Sequence, residues 1–143
     1  MGMAVRMNVA GFKEALRAKV DVLHAATRPA AQAGAQIIYD RARINAPVSQ
    51  DSHFFYIRGK KYGPYAPGTL RDSIYQVYSK DNSFKDVSTY HISFNKSEAP
   101  YGFIVHNGTS RTVAHPFISK AVVETRAEVR QAIKTRYLAE VNK

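Results

Sequence analysis

Residues 70–95, LRDSIYQVYSKDNSFKDVSTYHISFN, decide the fold class. Within 87–95, Ser88, Tyr90, Ile92 and Phe94 alternate with Val87, Thr89, His91 and Ser93. That two-residue period belongs to a strand with one face buried. Residues 70–79 read as a second strand entered from a short turn, and 80–85, KDNSFK, is a polar connection of hairpin length. An antiparallel pair is therefore expected as the core of a small sheet. A third strand is expected from residues 50–66 or from about 111–114.

On either side of this pair the period lengthens to that of a helix. Phe12, Leu16, Val20 and Leu23 form one stripe over residues 9–27, with Lys13, Arg17 and Asp21 on another, and Asn8 is placed to cap the start. Pro29 interrupts this pattern, so residues 29–45 read as a second helix or a kinked continuation. Its inner face would be Ala30, Ala33, Ile37 and Ile38, with Ile44 near the end and Pro47 as the stop. Residues 99–110 are a compact apolar stretch with one helical turn expected through 101–105 and a chain reversal at Asn107 and Gly108. The last element is the clearest: His115 and Pro116 open a helix running towards residue 140. Its stripe is Ile118, Val122, Thr125, Val129, Ala132, Ile133 and Tyr137. The expected fold is α+β: a small antiparallel sheet packed against an N-terminal helix, or kinked helix pair, and a long C-terminal helix.

The chain has 143 residues, one domain's worth, and no internal repeat. A compact chain of this mass would expose about 7,400 Å² and bury roughly two-thirds of its unfolded surface. With no cysteine, disulfides, thiolate zinc sites and thiol nucleophiles are excluded. No apolar run is long enough to span a bilayer, and residues 1–19 lack the apolar core of a secretion signal, so neither membrane insertion nor export is expected. Twenty-one Lys and Arg against eleven Asp and Glu give a net charge of +10. Residues 1–46 and 100–143 each carry +4, residues 47–69 carry +2, and residues 70–99 are neutral. Such a balance favours polyanions or acidic protein surfaces as neighbours.

The chain carries no glycine-rich phosphate loop, no GxGxxG, no HExxH and no GxSxG. The five histidines, His24, His53, His91, His106 and His115, are not at ligand spacing with carboxylates, and turn or cap roles suit them better. No catalytic residue, metal ligand or cofactor site is expected. Two features invite a binding role. Arg126, Arg130 and Lys134, four residues apart, make a basic ridge on the terminal helix. A solvated, screened face is the preferred reading of it, and Glu124 and Glu128 are at hand to compensate. In the glycine- and proline-rich stretch 47–69, Arg58, Lys60 and Lys61 stand among Phe54, Phe55, Tyr56, Tyr62 and Tyr65, with a short hairpin expected to turn at Arg58, Gly59 and Lys60. A protein interface ranks first for this segment, because Phe54, Phe55 and Ile57 are costly to leave in water. Packing on the domain's own core ranks second, and nucleic acid third.

One pattern spans nearly the whole chain. Ala46 and Pro47 come first, then Gly68, Leu70, Arg71, Ser73 and Ile74, then Tyr101, Phe103, Val105, Gly108 and Thr109. His115, Pro116, Phe117 and Ala121 close it at the long terminal helix. In order and spacing this resembles the HK97 gp10-like family of tailed-phage neck and tail-completion proteins. In that family the first two segments lie close together; here residues of about 49–66 are inserted, and they are the aromatic–basic stretch. His106 and Asn107 stand where the family often has an acidic residue.

The resemblance implies a single domain, 1–143, with a structural role at the phage head–tail junction. It implies ring-like self-association, docking to other neck and tail proteins, and DNA passing a lumen without specific binding. It also implies a place in the virion after synthesis in the host cytoplasm, and no catalysis, cofactor or membrane. The alternative is a nucleic-acid-binding module using the basic helix face and the aromatic–basic loop.

Overall fold

The computed structural model describes residues 2–84 and 86–143. Met1 and Lys85, the latter in the connection expected at 80–85, lie outside the described residues. The elements run α1 (Ala10–Asn45), β1 (His53–Ile57), β2 (Lys60–Tyr65), α2 (Thr69–Ser73), β3 (Ile74–Tyr78), β4 (Tyr90–Phe94), α3 (Gly102–Asn107) and α4 (Phe117–Val141). The fold is α+β, with both long helices where they were expected.

Of the two N-terminal readings, the continuous helix is the one observed. α1 has 36 residues with Pro29 inside it, a rod about 54 Å long. Proline leaves the carbonyl four residues back without its helical donor. Packing offsets that loss, since Ala26, Ala30, Gly34 and Ala35 are buried around it. These small residues let α4 come close. A Cβ added at Gly34 would lie 2.8 Å from Ile133 Cδ1 and 3.1 Å from Val129 Cγ1. Farther along, the Arg41 Nε donates to Glu124 Oε2 at 2.9 Å and the Asn45 amide donates to Glu124 Oε1 at 3.1 Å. Gly34 meets residues 129–133 while Arg41 meets 124, so the helices are antiparallel. The N-cap position falls on Val9, one residue after the expected Asn8, and has no side-chain cap bond; Asn8 Oδ1 accepts from the Ala10 amide at 3.0 Å.

β3 and β4 pair antiparallel from Ile74↔Phe94 to Tyr78↔Tyr90. The strand expected over 70–79 begins only at Ile74, because Gly68, at φ +83°, leads into the helical turn α2. There the Ser73 hydroxyl donates to the Leu70 carbonyl at 2.6 Å. No third strand joins this pair among the described residues. Residues 53–65 close on themselves as β1–β2, turning at Arg58 and Gly59 with φ +52° and +78°. Two successive positive φ values match the twist of a tight hairpin. Residues 109–112 are held as a turn by reciprocal Thr109–Thr112 backbone bonds, which leaves nothing to extend the sheet.

The core lies at one end of the helix pair. Ala42, Ala46, Leu70, Ile74, Phe94, Ala99, Tyr101, Phe117 and Ala121 form it, with Ile38, Val105 and Ile118 against its edge. On α4 the buried residues are Phe117, Ala121 and Thr125; of the expected stripe Thr125 is among them, Ile118 packs at the core's edge and Val129 and Ile133 meet Gly34, while Val122 is exposed. Phe117, the first residue of the helix, adds to that stripe by seating in the core. Ile44, expected inside, is 72 % exposed; Ala42 and Ala46 take the inner positions, and a residue two steps from each points away. The surface totals 10,388 Å², well above the ~7,400 Å² of a compact chain, so only about 55 % of the unfolded surface is buried.

Candidate interaction surface

The eight aromatic and basic residues of the inserted hairpin divide by face. His53, Phe55 and Ile57 point inward, and Phe54 and Tyr56 outward, as strand alternation requires. Phe55 stacks on Tyr101 with centroids 4.4 Å apart, and Tyr65 packs on the same ring at 4.8 Å. His53 stands edge-on to it at 5.0 Å, with Nδ1 3.1 Å from Ser49 Oγ. Phe55 and Tyr65 thus serve the core, the reading ranked second for this segment. Burial of Tyr101 among these rings raises its phenol above the ordinary pKa.

The outer face keeps Phe54, Tyr56 and Lys61, with Arg58 at the tip and Lys60 beside it, all exposed. Lys61 Nζ lies 4.0 Å from the Phe54 ring centre and Lys60 Nζ lies 5.4 Å from that of the half-buried Tyr62. Cations over ring faces are favourable contacts within the hairpin, and they cover surfaces on which a base would stack. The outcome is a ridge about two strands wide, apolar rings alternating with positive charge, standing on the core through Tyr101.

Arg126, Arg130 and Lys134 are exposed on α4 and make no ion pair among the described residues. Glu124 does not compensate them. It is held by Arg41 and Asn45, and hydrogen bonding from Arg41 lowers its carboxyl pKa below the usual range. Asp72 is lowered likewise by Arg71 and then Arg43. The ridge and the hairpin are separate positive surfaces.

The residues of the whole-chain pattern behave differently. Ala46, Leu70, Ile74, Tyr101, Phe117 and Ala121, drawn from four segments of sequence, lie in one core cluster, with Val105 packed against it. Ser73 is buried beside them. Gly68 and Gly108, at φ +83° and +73°, turn the chain into and out of it. His115 donates its amide to the Val105 carbonyl at 2.7 Å, starting the approach to α4. Pro47, Arg71, Thr109 and Pro116 lie at the margins, Arg71 bonded to Asp72 at 3.1 Å. These residues organise the fold and present no reactive cluster.

Two contacts had no signal in the sequence. Arg28 lies 3.9 Å over the Tyr78 ring, and Gln76 donates to Gln36 at 2.6 Å, tying β3 to α1 across 40 residues. A small cleft of about 260 Å³ opens between Ser49, His53, Phe55 and Tyr101, below the roughly 300 Å³ at which ligand pockets begin. No carboxylate lines it. Among the described residues no three His, Asp or Glu side chains gather as a metal site, and no helix is long and apolar enough to cross a membrane. Comparison with known proteins finds no matching family model, no matching curated protein and no matching solved structure.

Proposed function

We propose that the chain is a structural protein of the phage head–tail junction, a neck or tail-completion subunit that acts by self-association and by docking tail to head. The observation that carries this reading is the convergence of the resembling segments. Residues up to 75 positions apart in sequence, Ala46 to Ala121, meet in one cluster. These are apolar side chains and turn glycines, so the resembling pattern consists of residues that set the fold, as the signature of a structural subunit would. The exposed hairpin supports the reading too. It is inserted between two core segments, it is anchored by Phe55 on Tyr101, and it holds out rings and charge where a partner can reach them.

Electron microscopy of particles made without this protein tests the proposal. The expected result is filled heads and free tails that do not join; normal tailed virions overturn it. Phe54→Ala with Tyr56→Ala is the finer test. Both side chains are exposed, so stability should hold while joining falls.

The nucleic-acid reading draws on the net charge and the paired cations. It predicts a mobility shift with steep salt dependence, lost on changing Arg58, Lys60 and Lys61 to Ala. The placement of Lys61 over Phe54 weighs against it, because that ring face is already occupied.

A further inference from the structure

The hairpin β1–β2 carries charge that nothing within it balances. Residues 53–65 hold Arg58, Lys60 and Lys61 and no Asp or Glu. All three cations are exposed, and none has an ion pair among the described residues. The flanking carboxylates are placed elsewhere. Asp51 stands before the open end of the hairpin, and Asp72 is held by Arg43 and Arg71. The register sets Tyr56 opposite Lys61 and Ile57 opposite Lys60. Lys61 therefore shares the outer face with Phe54 and Tyr56, and Lys60 leaves the tip on the other side.

The turn is also built against local preference. Arg58, at φ +52°, is the only non-glycine residue at positive φ among the described residues. In a two-residue hairpin turn that position favours Asn, Asp or Gly, and a long side chain there strains the backbone. An observed outlier of this kind points to a use beyond folding. Here it sets a guanidinium at the foremost point of the hairpin. The lysines are held in place as well, Lys61 Nζ 4.0 Å from the Phe54 ring centre and Lys60 Nζ 5.4 Å from that of Tyr62.

We propose that the outer face and tip of this hairpin receive an acidic segment of a partner protein, its carboxylates meeting Arg58 and Lys61 and its apolar side chains covering Phe54 and Tyr56. A guanidinium presents a fork of donors that matches a carboxylate. The rings decide for protein over nucleic acid. Phosphates alone would leave Phe54 and Tyr56, 45 and 65 % exposed, in water. A base stacking on the face of Phe54 that Lys61 covers would have to displace that cation. An acidic protein segment satisfies charge and apolar surface together. The inference rests on the docking reading above and adds the partner's chemistry to it.

Nuclear magnetic resonance of the full chain, titrated with a short capped peptide that alternates glutamate with leucine, tests it. The expected result is saturable shifts confined to residues 54–61, with affinity at least tenfold lower when glutamine replaces glutamate in the peptide. Arg58→Asn should weaken binding at least tenfold and raise the thermal midpoint, because Asn before Gly59 suits the turn. An arginine that served the turn alone would show the gain in stability with binding intact, and that result overturns its role. A wild-type chain that does not bind the glutamate peptide overturns the proposal. So does equal binding of the glutamine peptide, which would mean apolar contact alone. A thymidine oligonucleotide of equal charge that binds more tightly overturns it in favour of nucleic acid. Particles made without the protein separate this inference from its premise. No peptide binding, with heads and tails left unjoined, refutes the acidic partner and spares the assembly reading; peptide binding with normal virions does the reverse.

Discussion

The two ends of α1 use the same helical face in opposite ways. From residue 26 onward that face is mostly alanine and glycine, buried at Ala26, Ala30 and Gly34, with Ile38 partly buried against the core. Over residues 10–22 it carries Phe12, Leu16 and Val20, and it is exposed. A chain selected to be stable as a monomer would place its large apolar side chains where burial stabilises most. Here small residues draw two helices together at one end, and large ones stand in solvent at the other. Folding strength is concentrated around Phe117 and Tyr101, and the distal third of α1 contributes little to the free monomer.

The widest contrast is between two phenylalanines. Phe117 is 1 % exposed in the core, so Phe117→Ala should cost about 3–5 kcal/mol. Phe12→Ala, measured in dilute monomer, should stay within about 0.5 kcal/mol of wild type. Urea unfolding of both reads the difference, and equal losses would show that the start of α1 is packed in the monomer. Two glycines give the next step. A Cβ at Gly102 would lie 2.5 Å from the Phe94 ring, so Gly102→Ala should destabilise by about 1–3 kcal/mol through overpacking. Gly11 has open space around it, so Gly11→Ala should favour helix at the start of α1 by about 1 kcal/mol. Circular dichroism would register this as added helix content, and a loss of helix there would break the comparison.

The smallest effect is a pH dependence at the well-packed end. Glu124 has its folded-state pKa lowered, chiefly by the hydrogen bond from Arg41. Its stabilising share is therefore present above the ordinary carboxylate range and is lost as pH falls through the lowered value. The thermal midpoints of wild type and Glu124→Gln should differ at neutral pH and converge in acid. A gap that persists at low pH would mean that the carboxylate's charge is not what holds Arg41.

Much of this was legible in residue order. The terminal helix, the 53–65 hairpin with its turn at Arg58 and Gly59, and the helical turn near Tyr101 follow from period and turn chemistry, which act over a few residues. Other features were not legible, and for one reason. Pro29 reads as a break, yet α1 runs through it because Ala26, Ala30 and Gly34 pack on α4. Phe117, at the first position of α4, reads as flanking the stripe yet seats in the core. Phe54 and Phe55 are adjacent and chemically alike; only the presence of Tyr101 under one face packs the second on the core and leaves the first exposed.

Sequence alone determined the helix and strand periods, the hairpin's turn and the net positive charge, because each depends on neighbours along the chain or on composition. The tertiary structure decided which apolar strip is covered and which is bare, how far α4 reaches along α1, and where Glu124 finds its cation. Those depend on lengths and rotations of elements a hundred residues apart, and a one-dimensional pattern carries no measure of either.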